Sequence, residues 1–449
     1  MVLAAALLAA AVSVAEGVQA ANPIVAEGRF LSDPAGRVGP DGRLYVFGSR
    51  DESPKYYCSR LNDVLETEDL RSWRVHPGVF DAARIPGEDT VLFAPDAIFH
   101  RGRWWLFYCT PSAHAEGVAS AETACGRYDG ARRYGFADQI DPSVFRDDDG
   151  RVYYTWGQFS MKMAELKDDL SGIVPGTLHD GVIDESRHNF HEGSQLFKRN
   201  GVYYLAFADI SRSHREDGEP PPGKGMMKWR GRRPTCIGYA TASSPFGPYV
   251  YRGVIVDNAG CDPENWNNHG SVVEFGGRWY VLYHRTTNAS VSMRKACVEP
   301  IEFDADGLIR EVEMTSNGAG APLDPFVRTE ARLACLMSGH VRIVTLADGQ
   351  ERLGEIRGGD TATWRYFAFP RPASALVLES YPESGGRVVV SDARGTVIGE
   401  GTVPAGDGRA LVRTEIPVRG SMPRGRLAVK LSFAAGEGAF GALDGFTFR

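Results

Sequence analysis

Three carboxylates stand at one recurring place in this sequence. Asp33, Asp141 and Glu192 each lie nine residues before a glycine (Gly42, Gly150 and Gly201), and His269 lies eight before Gly277. Asp96 sits six residues before Gly102. Any one of them alone reads as a turn residue, since Asp suits turn starts and Asp33–Pro34 and Asp141–Pro142 are ordinary turn dipeptides. Five polar groups in one register do not. The sequence has no Ser-His-Asp set, no Gly-rich phosphate loop and no dense Cys/His cluster, so this inventory points to acid–base work without an organic cofactor. Hydrolysis of a glycosidic bond fits it: one carboxylic acid protonates the leaving oxygen, and one carboxylate activates water or attacks carbon. A third carboxylate beside the acid raises the acid's pKa by like-charge repulsion.

The elements that must position these groups are short strand pairs. Each glycine opens an aromatic-rich run: "GRLYVFGS" from Gly42, "GRWWLFYC" from Gly102, "GRVYYTWG" from Gly150, "GVYYLAFA" from Gly201 and "GRWYVLYH" from Gly277. The starts are separated by 60, 48, 51 and 76 residues, which is the signature of a radial β repeat, here a five-bladed propeller. The first strand of each blade lines the axis of a propeller, so equivalent positions converge on one funnel. Trp73, Phe93, Trp156, Phe190 and Trp266 are candidates for stacking on sugar rings, although most Trp and Tyr must instead fill the blades.

Composition bounds the rest. The chain has 449 residues, enough for two domains, with 24% charged and 43% hydrophobic residues, as in a soluble globular protein. A net charge of −7 argues against nucleic acid as a partner, and the basic run "KWRGRRP" is short and isolated. Residues 1–20 read as an export signal ending at Val18-Gln19-Ala20, so a secreted or periplasmic protein is expected, with no later membrane span. Seven cysteines without a CxxC pair exclude a zinc ribbon and leave room for one or two disulfides.

The motifs "FLSDPAGRV", "FAPDAIFHRGRWWLFY", "IDPSVFRDDDGRVYYTWG", "EGSQLFKRNGVYYLAFA" and "NNHGSVVEFGGRWYVLYHR" followed by "MRKACVEPIEF" resemble, blade by blade, glycoside hydrolase family 43. The resemblance implies a five-bladed propeller over 22–315 and an inverting mechanism. Asp33 then matches the general base, Glu192 the general acid, and Asp141 the residue that tunes and orients the acid. His269 matches a channel histidine that in the family often supports a metal ion, calcium or another, or a water. Arg294 matches an arginine that reaches the substrate. Asp96 has no chemical duty in this scheme and is open between a sugar contact and a turn. An inverting pair should stand roughly 6.5–9.5 Å apart, leaving room for water.

After a Gly/Pro-rich break at 316–325, short alternating segments over 326–449 suggest a β-sandwich of jelly-roll type. "GTVIGEGTVPAGDG" and the terminal "LDGFTF" resemble carbohydrate-binding module family 6. Arg332 replaces an acidic residue of that module's calcium site, and the tryptophan expected after "PAGDG" is absent; Trp364 and Tyr366 are open between a small platform and core. Two insertions stand out: 51–73, placed to rim the pocket, and 209–236, polar and Pro-rich. The implied activity is removal of terminal α-L-arabinofuranose or β-D-xylose from plant polysaccharides or oligosaccharides by a monomer that needs no cofactor for its chemistry. A galactan- or galactofuranose-directed exo-enzyme is the alternative within the family. A retaining fructosidase propeller and a non-catalytic sugar-binding propeller rank below, the first because its N-D-P-N-G and R-D-P motifs are missing.

Overall fold

A computed structural model describes residues 21–88, 90–111, 116–212, 233–419, 424–434 and 438–449. The export signal and most of the insertion at 209–236 lie outside the described residues. Nearly all regular structure is β, arranged as sequential antiparallel meanders. Sheet one comprises Leu31–Val38, Leu44–Arg50, Leu61–Thr67 and Arg74–Asp81. Sheet two follows with Phe93–His100, Arg103–Cys109, Glu116–Ala121 and Asp129–Arg133. Sheet three holds Ser143–Arg146, Val152–Trp156, Ser160–Leu166 and His179–Asp184. Sheet four holds Phe190–Arg199, Val202–Asp209, Cys236–Ala242 and Val250–Asp257. Sheet five holds Ser271–Phe275, Arg278–Thr287 and Ser290–Ile301.

The glycines that mark the repeat sit in the turns between first and second strands. Gly42, Gly102, Gly150, Gly201 and Gly277 all adopt positive φ, which a residue with a side chain adopts only with strain. The second strands that follow are buried almost throughout, as in "LYVFGSR" and "VYYTW", because a neighbouring sheet covers each face. First strands of successive sheets lie side by side, and that of sheet five lies beside that of sheet one, closing a ring. A parallel pairing of Leu31 with Lys295 joins the two ends of that ring.

The C-terminal region builds two more sheets around one core. One runs Arg342–Thr345, Glu351–Ile356, Gly441–Phe448, Ala375–Pro382 and Val412–Pro417, with the short strand Thr329–Glu330 added to Gly441–Phe448. The other runs Leu336–Ser338, Thr361–Phe369, Gly425–Ala434, Gly386–Ser391 and Val397–Val403. Leu376, Leu443 and Phe446 of the first sheet and Trp364, Phe367 and Leu431 of the second share that core. Trp364 is fully buried with its ring edge-on to Phe446, and Tyr366 is covered by the Arg426 guanidinium. The two do not form an open platform. The Gly/Pro-rich break is strapped down rather than free: Ser316 N–H donates to the Arg365 carbonyl at 2.5 Å and Leu323 N–H to that of Tyr366 at 2.8 Å. All seven cysteines are free thiols, so the expected disulfides are not formed.

Candidate active site

The first strands of the five sheets meet around a central cavity of about 270 Å³. Each contributes an equivalent triplet: Asp33-Pro34-Ala35, Ala94-Pro95-Asp96, Asp141-Pro142-Ser143, Gly193-Ser194-Gln195 and His269-Gly270-Ser271. In sheets one, two and four the strand pairing skips at this point, between Ser32 and Ala35, Phe93 and Asp96, and Glu192 and Gln195. Such bulges re-aim side chains. Asp33 at φ 53° and Asp141 at φ 63° are left-handed, like Gly193 at φ 64°. Asp tolerates this better than most residues, at a cost of roughly 1–2 kcal/mol. Gly193 cannot be replaced cheaply, because a Cβ there would stand 2.7–2.9 Å from the His269 ring.

Asp33 is held from both oxygens. Arg294 Nη1 donates to Oδ1 at 2.7 Å, and the Ser49 hydroxyl donates to Oδ2 at 2.8 Å. Burial opposes its charge, but the Arg294 guanidinium and the His269 ring outweigh burial and bring its pKa down to about 2. His284 stands behind it: its Nδ1 accepts from the Asp33 backbone N–H at 3.3 Å, and Nε2 faces Asn267 Oδ1 at 3.2 Å. Burial, followed by the Arg294 charge, pushes the pKa of His284 down to about 3, so the ring is neutral, with its proton on Nε2.

Asp141 has the opposite environment. Oδ2 is buried without a hydrogen-bond partner, 3.9 Å from His269 Nδ1. Burial, then the charges of Glu192 and Asp33, push its carboxyl well above the ordinary range. Glu192 Oε2 accepts from the Gln158 amide at 2.6 Å. The Asp141 carboxyl therefore holds a proton to higher pH than Asp33 does, so two neighbouring carboxyls are pushed apart in acidity.

Several expected residues occupy other places. Arg294 is only 2% exposed and does not reach outward: Nε and Nη2 each donate to Asp51 at 2.9 Å and Nη1 to Asp33, so it is a clamp between two carboxylates. Asp96 lies two residues deeper than Asp33 in its triplet. It takes hydrogen bonds from Arg37 Nε at 2.8 Å, Ser143 Oγ at 2.7 Å and Val144 N at 2.9 Å, which ties sheets one, two and three together. Trp156 and Phe190 are fully buried in sheet cores and not available to a sugar, and Trp73, half-buried, packs against the core of sheets one and five and does not line the cavity. Phe93 is half-buried beside Ala94 at the cavity, and Trp266 lies edge-on to His191, next to Glu192.

Sequence reasoning missed Ser49, Asp51, Gln158 and His284, because they sit on second strands and connections outside the repeat register. It also missed Tyr57, over whose ring the Arg294 guanidinium lies at 4.8 Å. The 51–73 insertion was a signal for it.

A calcium ion would need six to eight oxygens. His269 and the unpartnered Asp141 Oδ2 are two donors, while Asp96, Gln195 and Ser271 are engaged by the protein. The residues present do not make a calcium cage here. In the C-terminal region Arg332 pairs with Glu330 at 2.6 Å and Arg352 faces Asp444 at 3.3 Å, so arginines neutralise the acidic groups a calcium would need.

A ring of β-sheets with an ionised carboxylate and a proton-holding carboxyl at its axis suits the acid–base hydrolysis of a glycosidic bond. The sequence profile of glycosyl hydrolases family 43 matches residues 20–309, and the chain belongs to that family, which hydrolyses O-glycosyl bonds. It is 28% identical over 372 residues to a xylosidase/arabinosidase of Thermoclostridium stercorarium, covering 72% of this chain and 73% of that one. It is 26% identical over 385 residues to an arabinoxylan arabinofuranohydrolase of Bacillus subtilis, covering 72% and 70%. A solved arabinoxylan arabinofuranohydrolase from Bacillus subtilis, in complex with cellotetraose, shares the fold at TM-score 0.52 and 23% identity, covering 97% of this chain and all of the other. Among the described residues no helix is long and apolar enough to cross a membrane.

Proposed function

We propose that the protein is an inverting exo-glycosidase, a five-bladed propeller that releases terminal α-L-arabinofuranosyl or β-D-xylosyl residues from plant polysaccharides or oligosaccharides. The observation that carries the reading is the contrast between Asp33, which the Arg294 clamp keeps ionised, and the buried Asp141–Glu192 pair. Asp33 accepts a proton from water as that water attacks the anomeric carbon. Glu192 gives a proton to the leaving oxygen, and Asp141 stands beside it to orient it. Both oxygens of Asp33 are tied, which suits a base that holds a water rather than a nucleophile that advances on carbon. The xylose/arabinose choice is supported by the Thermoclostridium xylosidase/arabinosidase and the Bacillus arabinoxylan arabinofuranohydrolase, to which the chain is similar.

Two further parts belong to this proposal. Residues 326–449 are an accessory sandwich of carbohydrate-binding ancestry whose sugar platform has been lost, and the enzyme is an exported monomer. The test is proton NMR of nitrophenyl α-L-arabinofuranoside and β-D-xyloside hydrolysis, watching the anomer released first. The inverted anomer is expected. Early release of the retained anomer would remove the roles given to Asp33 and Glu192, and turnover only of a galactofuranoside would favour the alternative substrate.

A further inference from the structure

We propose that Glu66, His76 and Cys125 form a binding site for a zinc-like divalent cation that staples sheet one to sheet two. A Glu66 carboxylate oxygen, a His76 ring nitrogen and Cys125 Sγ lie within 4.8 Å of one another, the one such His/Cys/Asp/Glu group among the described residues. Glu66 lies on Leu61–Thr67 and His76 on Arg74–Asp81, the outer strands of sheet one, while Cys125 follows Glu116–Ala121 of sheet two. The active-site cavity is built from innermost strands, so this cluster is no part of it.

The donor set selects the ion. Imidazole nitrogen, thiolate sulfur and one carboxylate oxygen suit Zn²⁺, whereas Ca²⁺ and Mg²⁺ take oxygens. Three protein ligands leave the fourth tetrahedral position for water. His76 Nε2 stands 2.6 Å from Glu66 Oε2, a hydrogen bond that an ion would replace by opening the pair to the roughly 3.3 Å between two ligands of a tetrahedral site. Neighbouring cations leave that oxygen usable. Arg43 engages the other oxygen, Oε1, at 3.0 Å and is shared with Glu68 at 2.6 Å. Arg74 stands 3.7 Å from Oε2 on a side chain 69% exposed, free to swing into solvent. Cys125 is also set apart from the other six cysteines, all of them buried, because it alone is partly accessible. On binding, the Cys125 S–H bond breaks, a metal–sulfur bond forms, and the proton passes to solvent; no electrons are exchanged.

The experiment uses the full chain, stripped with a chelator and titrated with Co²⁺ as a spectroscopic probe, then with Zn²⁺. Expected are a thiolate-to-Co²⁺ charge-transfer band saturating at one equivalent, its bleaching by Zn²⁺, and protection of one thiol from a thiol reagent. Cys125→Ser abolishes the band, and His76→Gln weakens binding about 10-fold or more, as loss of a ligand should at least match the known effect of losing a ligand's support. Glycosidase turnover is unchanged in both, since neither residue touches the cavity. Absence of a thiolate band in the folded wild type, or a band that survives in Cys125→Ser, overturns the site.

Discussion

Removing the positive charge of Arg294 is the most informative perturbation of the proposed base. Asp33 titrates at about 2 rather than at an ordinary 3.8, although burial alone would drive it upward. The net gap of nearly two units corresponds to about 2 kcal/mol, and the arginine supplies more than that because it also offsets burial. The sign follows. A depressed carboxyl contributes stability above pH 3.8, lost as pH falls through 2, and the same window marks where the base loses its charge. In Arg294→Met, burial stands largely unopposed, so Asp33 should titrate above 3.8 and the acid limb of kcat/KM should move up by about two units or more. Arg294→Lys keeps a charge but cannot span Asp33 and Asp51, so a smaller shift is expected. Asp51 is left buried without its partner in Arg294→Met, at a cost of about 3–5 kcal/mol, so folding is checked first by circular dichroism. Ser49→Ala removes only the 2.8 Å hydrogen bond to Oδ2 and should raise the limb by less than one unit, about 1 kcal/mol. The assay is a pH profile of initial rates of nitrophenyl glycoside hydrolysis from about pH 1.5 to 8, so that the wild-type limb near 2 falls inside it. An acid limb that stays in place in a folded Arg294 variant refutes the clamp.

Three other outcomes are expected. Glu192→Gln should slow substrates with sugar leaving groups about 10²–10⁴-fold but activated aryl glycosides much less, because a good leaving group needs no proton; equal losses on both would contradict the acid role. Burial pushes the Glu116 carboxyl, bonded to Tyr154 and close to Asp141, up to about 8, so the native state gives up stability as pH rises from 4.5 toward 8. Thermal melts should show that downward slope, at most about 1.4 kcal/mol per pH unit, flattened in Glu116→Gln; parallel slopes would count against it. Lys295→Met leaves Glu351, its partner at 2.5 Å, buried and unpaired, and should cost about 3–5 kcal/mol by denaturant melts, much of it restored by adding Glu351→Leu.

The repeat was legible because its signals are local. Gly42, Gly102, Gly150, Gly201 and Gly277 sit in turns whose positive φ the residue type announces, and the aromatic runs after them are the second strands. Counting back from those turns leads to Asp33, Asp141 and His269 at the cavity, while Glu192 falls one residue short of the lining, where Gly193 stands. Asp96, only six residues before its glycine, is the third member of its triplet, and Ala94 takes the place equivalent to Asp33. Trp156 illustrates a second limit: a strand-borne indole serves a core as readily as a sugar, and only the packing of Tyr154 and Phe136 against it decides. Asp51 and Tyr57 show a third limit: the 51–73 insertion marked their segment but not the residue they meet. Their partner, Arg294, lies on the far side of the ring closure, and sequence separation hides such contacts.

That closure bears on how the enzyme comes into being. Asp33 and its arginine are 261 residues apart, so during synthesis the base emerges early and waits, unclamped, for almost the whole ring to follow. Arg294 and Lys295 are adjacent on one strand, and successive side chains of a strand face opposite ways. One closes on Asp33; the other closes on Glu351 of the C-terminal region. The last strand of the ring therefore acts as a latch with two bolts, and a nascent chain acquires its charged base only in the step that also seats its C-terminal region.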